Sequence, residues 1–288
     1  MTIAQTLTSY WEDHGKNIPS ASSVKTSSRY WIEYWQDQSV ADLVGLRPQE
    51  EFHQWLRSKG LCDATINRTV MVGKAALNRA WGNGEITGVP KFISLPVVDA
   101  PPRGRPLEVA EVQALLDNVT SNYMHRFILL ILGTASRPDA VFQLKKEQCD
   151  LSRGLINLNP QGRKQTKKYR PIVKLPSQLR PMIECADNNF FITYRGKPVK
   201  SVKGSWRLLR KRAGLSPDVQ PYSLRHTMAR HLRASSVPAW EVAAQLGHQQ
   251  TGLSITEKYA SADPMYLQKS TIAIETYLAK LVICNTEM

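Results

Sequence analysis

A chain of 288 residues, 42% hydrophobic and 22% charged, is globular and long enough for two domains rather than one. Its longest apolar runs, such as FILLILG at 127–133, fall far short of the roughly 18 residues a membrane span needs, so no membrane role is expected. Thirty-eight basic against 24 acidic residues leave a net charge of +14, which fits a polyanionic partner held through its phosphates.

Clustering sharpens that reading. RGKPVKSVKGSWRLLRKR (195–212) and GRKQTKKYRPIVK (162–174) contain no acid. A solvated face usually mixes signs, so two single-sign stretches favour nucleic acid. The four cysteines, Cys62, Cys149, Cys185 and Cys284, are scattered without metal-ligand spacing, and are read as thiols of a reducing cytoplasm. The first residues show no basic segment followed by an apolar core, so no secretory signal is expected.

Residues 1–96 read as a helical domain. Tyr30, Trp31, Tyr34 and Trp35 form a helix-spaced aromatic stripe. The stretch 63–84 starts with Asp63 as N-cap, repeats apolar residues at Ile66, Val70, Leu77 and Trp81, and stops at Gly82 and Gly84. Arg68, Lys74 and Arg79 occupy its other face and could grip a DNA backbone or simply be solvated. VVDAPPRGRP (97–106) is a linker by its prolines and lack of period. Residues 107–288 form a second domain with helices in LEVAEVQALLDNV and YMHRFILLILGTA. Strands follow at GLINLN (154–159) and YRPIVKLP (169–176), joined by a basic loop. Further helices are expected at about 200–213, 223–235, 238–246 and 264–283.

Four short stretches carry the chemistry. In GTASRPDAVFQL (133–144) Ser136 can cap a helix, with Asp139 completing a capping box and Pro138 in the first turn. Arg137 then projects from a helix N-terminus that already favours an anion. In PYSLRHTMARHLR (221–233) Leu224, Met228 and Leu232 make a buried stripe, leaving Arg225 and His226 for a cleft. In AWEVAAQLGHQQ Gly247 stops a helix and puts His248 in the loop beyond. Eleven residues on, in ITEKYA, comes Tyr259.

In this order and spacing, TASRPDAVFQL, YSLRHTMARHL, QLGH and ITEKYA resemble the signature boxes of the tyrosine recombinase (phage integrase) family. The resemblance covers nearly the whole chain and implies a mainly α protein of two domains. One is an N-terminal helical core-DNA-binding domain. The other is a mostly helical catalytic domain with a small β-hairpin or sheet, and together they form a C-shaped clamp on DNA. It implies that Tyr259 attacks a DNA phosphodiester, giving a 3′-phosphotyrosine and a free 5′-hydroxyl, with strand rejoining by the reverse step and without ATP or metal. Arg137 and Arg225 would clamp the nonbridging oxygens, because the guanidinium fork matches phosphate and stays charged. His248 would hydrogen-bond the scissile phosphate.

A lysine of the hairpin loop would protonate the leaving oxygen. Lys164, Lys167 and Lys168 are available, and counting back from the strand favours Lys167, the others gripping the backbone. Tyr222 stands where the family commonly has His, and Ala140 where it often has an acid, so proton transfer at Tyr222 and support of Arg137 are open. His226 and His231 are given no chemistry, and Tyr266 and Tyr277 sit in an apolar terminal helix where aromatics pack.

As partners the resemblance implies a double-stranded recombination site, a homotetramer on DNA through the helix from about 264, and accessory DNA-bending or directionality proteins. The expected setting is cytoplasmic and nucleoid-associated, for a bacterial or phage-encoded protein, with no cofactor and no separate arm-site-binding domain. A prophage or integrative-element integrase leads, and a Xer-type resolvase is the alternative within the class. A type IB topoisomerase and a non-catalytic DNA-binding paralogue are the rivals outside it.

Overall fold

The computed structural model describes residues 1–96, 104–166, 168–186, 188–248 and 263–282. The chain divides into two compact units, Met1–Pro101 and Pro102–Met288. No helix among the described residues is long and apolar enough to cross a membrane.

The first unit consists of α1 (Ile3–Asp13), α2 (Ala21–Trp35), α3 (Arg47–Ser58) and α4 (Asp63–Gly82). Serines, threonines and aromatics make α2 a poor helix by propensity, at about 0.5 kcal/mol each relative to alanine. Burial decides the matter. Val24, Trp31 and Trp35 are almost fully enclosed, and each large apolar side chain removed from water is worth about 1.5–3 kcal/mol. Trp31 lies against Phe52 at 4.8 Å and donates its indole N–H to the Thr69 carbonyl at 2.8 Å. Gly73 is required beneath it, since a Cβ there would enter the indole ring. The side-chain amides of Gln49 and Asn67 hold residues 91–95 as a neighbouring strand would: Gln49 bonds Lys91 O and Ile93 N, and Asn67 bonds Leu95 at both backbone groups.

Two sequence expectations for α4 are corrected. Its N-cap is Cys62, while Asp63 lies inside the first turn and pairs with Arg57 at 3.0 Å. Trp81 is 57% exposed, because the buried stripe runs through Ile66, Val70, Leu77 and Ala80 and has turned away by that position.

The second unit is built on α6 (Asn122–Thr134), whose residues from Phe127 to Thr134 are all buried, so it is apolar all round and central. Around it stand α5 (Val109–Asp117), α7 (Pro138–Phe142), α8 (Arg180–Glu184), α9 (Lys203–Arg212), α10 (Ser223–Ala234), α11 (Ala239–Leu246) and α12 (Gln268–Leu278). A three-stranded antiparallel sheet runs β1 (Cys149–Asp150), β2 (Leu155–Asn157), β3 (Ile172–Lys174), with Ile156 opposite Val173. A separate hairpin pairs β4 (Thr193–Tyr194) with β5 (Lys197–Pro198). The sequence gives two of these five strands; strands of two residues have no alternation to read.

In α10, Leu224, Met228 and Leu232 are all fully buried, as their spacing predicts. The terminal helix begins later than expected, after a 3₁₀ turn at Pro264–Tyr266. In the single chain one face of it packs into its own unit, while Ile272 is left exposed. Ala273, Ile274, Tyr277 and Leu278 join the same core as α6, and the buried Glu241 carboxylate of α11 accepts the Ser270 N–H at 2.6 Å.

Candidate active site

The site starts where α6 ends. Ala135 follows with φ 52°, a left-handed conformation that costs a non-glycine residue about 1–2 kcal/mol. The turn aims the Ala135 carbonyl at Arg225, whose Nη1 donates to it at 2.8 Å. Arg137 itself, not Ser136, is the N-cap of α7, with Pro138 at the first helical position. The capping box is therefore absent: Ser136 Oγ is buried without a partner among the described residues, and Asp139 faces solvent. Arg137 donates Nη1 to the Tyr169 carbonyl at 2.9 Å, so it is anchored without the acid missing at Ala140.

Arg225 lies in the first turn of α10 and is only 3% exposed, deeper than its off-stripe position suggests. Its Nη2 donates to the Leu246 carbonyl at 2.8 Å and lies 3.2 Å from His248 Nε2. Burial is the main cause that brings its pKa down to about 10, with the Arg137 charge adding to it, so it remains a cation at neutral pH. The Tyr222 ring lies with its centroid 5.9 Å from the Arg225 guanidinium carbon and edge-on to His226 at 4.9 Å.

His248 is held by the end of α11. Gly247, at φ 64°, donates to Ala244 O, and His248 N donates to Ala243 O at 2.8 Å, the paired bonds of a Schellman stop. A Cβ at Gly247 would come within 2.6 Å of Tyr169 O, so glycine is needed for two independent reasons.

Arg137, Arg170 and Arg225 thus line one small cavity together with Ser136, Tyr169 and Gln245. No ion pair among the described residues engages any of the three guanidinium groups. Charges of one sign around a common space, with no carboxylate lining it among the described residues, make a receptor for an anion. Arg170 is the residue that sequence reasoning misses. It sits among the basic residues of 162–174 like any backbone-gripping charge, and only its place just ahead of the strand hints at a structural duty.

The other candidates are distributed as follows. Lys164 and Lys168 are exposed on the β2–β3 loop, while Lys167 and Tyr259 lie outside the described residues. Arg68 and Arg79 are exposed and Lys74 half-buried on α4 of the first unit, none in an ion pair among the described residues. Tyr277 is buried and its phenol is pushed up to about 12 by that burial, which suits packing rather than attack. His231 bonds the Ala273 carbonyl at 3.0 Å and serves the docking of α12.

His248 lies below the ordinary histidine range through partial burial and the charges of Arg225 and Arg137. His53, His125 and His231 are lowered too, in each case chiefly by burial. The unfolded chain therefore takes up these protons first. Stability is fully present above about pH 6.5 and falls as the pH drops below it. The thermal unfolding midpoint is expected to decline from pH 7 toward pH 5; a midpoint that rises on acidification contradicts the burial of these rings.

Comparison with known proteins gives the chain's family. Residues 105–265 match the phage integrase family model. The chain is 31% identical over 182 residues to tyrosine recombinase XerA of Thermococcus kodakarensis, covering 59% of this chain and 63% of that protein. It is 25% identical over 183 residues to XerD of Staphylococcus saprophyticus, covering 57% and 60%. The chain thus spans roughly three-fifths of these curated relatives. Among solved structures, the Tn1549 transposon integrase in complex with transposon right-end DNA superposes with a TM-score of 0.70 at 18% identity, over 94% of this chain and 98% of that one. A lambda integrase tetramer bound to a Holliday junction gives 0.69 at 16%, over 87% and 78%. At such identities these likenesses speak for the fold alone, but the family match extends over more than half of the chain and includes Arg137, Arg225, His248 and Tyr259. The chain belongs to the phage integrase family, the tyrosine recombinases.

Proposed function

We propose that this protein is an active site-specific DNA recombinase that cuts and rejoins strands through a 3′-phosphotyrosine at Tyr259. The observation that carries the reading is the convergence of Arg137 and Arg225 on one cavity that no carboxylate lines among the described residues, with His248 at 3.2 Å from Arg225.

The scissile phosphate sits between the two guanidinium groups. Carbonyls hold part of each fork, and the remaining N–H groups face the nonbridging oxygens. Because these donors are fixed before DNA arrives, they stabilise the negative charge of the pentacoordinate transition state without reorganising. Tyr259 Oη forms the new bond to phosphorus as the P–O5′ bond breaks. The phenol gives up a proton and the departing 5′ oxygen gains one, from a lysine of the β2–β3 loop. Lys167 is the first choice, ahead of Lys164 and Lys168. Attack of a 5′-hydroxyl from a second strand reverses the step. His248 donates to the phosphate, and Tyr222, beside Arg225, offers a hydroxyl donor where the family commonly has a histidine.

Lys164, Lys168, Arg68, Lys74 and Arg79 grip the duplex backbone, a role that carries no sequence information. The assembled form is a tetramer on DNA, the arrangement described for lambda integrase on a Holliday junction. Integration or excision of a prophage or other mobile element is the setting we favour.

The test is a nicked duplex that traps covalent protein–DNA adduct, followed by mapping of the modified residue. The label is expected on Tyr259, without Mg²⁺, and Tyr259→Phe should bind DNA but form no adduct. A label on Tyr266, or an absolute need for Mg²⁺, overturns the assignment.

A further inference from the structure

Arg137 and Arg170 cross-link α7 and the start of β3 in opposite directions. Arg137, at the head of α7, donates to the Tyr169 carbonyl at 2.9 Å. Arg170, the next residue along, returns to α7 through Nη1 to Gln143 Oε1 at 2.8 Å and Nη2 to the Asp139 carbonyl at 3.4 Å. A displacement of either element therefore strains two arginine contacts at once.

The backbone of Arg170 is fixed in turn by one side chain. Its N–H donates to Gln165 Oε1 at 3.1 Å, and its carbonyl accepts from Gln165 Nε2 at 2.8 Å. A single amide thus satisfies both backbone groups of Arg170, as an adjacent strand would. Gln165 is the residue after Lys164, inside the lysine loop. Other described residues of that loop are bonded as well: Arg163 donates to Asn159 Oδ1 at 2.6 Å and to Lys168 O at 3.2 Å, and Lys168 N donates to Thr166 Oγ1 at 3.2 Å.

Arg170 is 9% exposed, and burial, with the Arg163 and Arg137 charges, holds its pKa below the usual arginine value. Enclosing a cation that forms no ion pair among the described residues is costly, and an apolar side chain could fill the same space without that penalty. The burial of this charge points to a role that packing does not supply.

We propose that Gln165 and Arg170 are positioning residues that lock the lysine loop in register with Arg137, so that the proton donor and the phosphate clamp move as one body. The bracing that a carboxylate at position 140 would give Arg137 comes instead from the strand side. This inference rests on the reading of the chain as a strand-cleaving enzyme.

The test compares two nicked duplexes of one sequence, chosen because the wild-type chain cleaves it. One has the normal 5′-bridging oxygen, and the other has sulfur at that position. An alkoxide must be protonated as it leaves, whereas a thiolate, whose thiol pKa is about 8.5, departs unaided. Gln165 is exposed and outside the core, so Gln165→Ala removes the clasp without opening a cavity. On the oxygen substrate it is expected to slow single-turnover cleavage by about 10–100-fold, the usual cost of releasing a supporting contact, with DNA affinity changed less than about threefold. On the sulfur substrate it should run within a few-fold of wild type. Arg170→Lys, which keeps the charge but not the fork, should be slow on oxygen and only partly restored by sulfur, because Arg137 is loosened too.

Wild-type rates for Gln165→Ala on oxygen, or equal slowing on both substrates, overturn the inference. Failure of the wild-type chain to form any Tyr259 adduct would instead sink the functional reading, so the two failures are distinguishable.

Discussion

Arg225→Ala is expected to slow strand cleavage by about 10²–10³-fold at saturating DNA, the usual effect of removing one preorganised donor from an anionic transition state. It should also lower stability, because the side chain satisfies two buried carbonyls, Ala135 O and Leu246 O, at 2.8 Å each. Leaving a buried acceptor unpaired costs about 1–3 kcal/mol, so the two effects arrive together. Arg225→Lys separates them. A lysine keeps the charge and can reach one carbonyl, but it cannot span both and still present donors to a phosphate. It should recover part of the thermal midpoint and little of the rate. Single-turnover adduct formation and thermal unfolding on the same preparations check this; a lysine variant with wild-type kinetics would show that charge alone suffices and that the fork geometry is idle.

The second large effect is expected at Gly247. Alanine there must adopt a left-handed conformation at φ 64°, at about 1–2 kcal/mol, and its methyl would press on Tyr169 O and Pro171 Cδ, 2.6 and 2.7 Å from the ideal Cβ position. Relief of that overlap adds a repacking cost of about 1–3 kcal/mol. The obstructed carbonyl is the acceptor for Arg137, and the same turn carries Leu246 O and His248. Gly247→Ala should therefore lose stability in chemical denaturation and cleave far more slowly than that loss explains at low temperature, where the variant stays folded. Unchanged unfolding would mean that the close approach of α11 to β3 is relieved elsewhere.

How far these features can be read from sequence depends on whether they are local. Gly247 as a helix stop, with His248 beyond it, follows from residue types within one turn, and Leu224, Met228 and Leu232 follow from a spacing. Arg137 and Arg225 stand out through the resemblance of their boxes. What escapes notice is set by partners far away in the chain. Ser136 has the type of a cap, yet the cavity needs Arg137 at that place. Ala135 takes a glycine-like conformation because a carbonyl must face Arg225, 90 residues later. Arg170 and Gln165 look like loop residues until α7 is seen beside them, and Trp81 continues an apolar period that its helix no longer buries.

The anchoring of α12 by Glu241 has a consequence for Tyr259, the proposed attacking group. Tyr259 is four residues from Asp263, where the described chain resumes just before α12. Covalent geometry limits the Cα separation of these two residues to at most about 14 Å, whereas the eleven residues back to His248 permit up to about 40 Å. Tyr259, the nucleophile of the proposed reaction, is on a short leash whose post is the last helix. A subunit that keeps this helix seated must deliver its own phenol close to home, and any exchange of the helix between subunits would tow the phenol along with it.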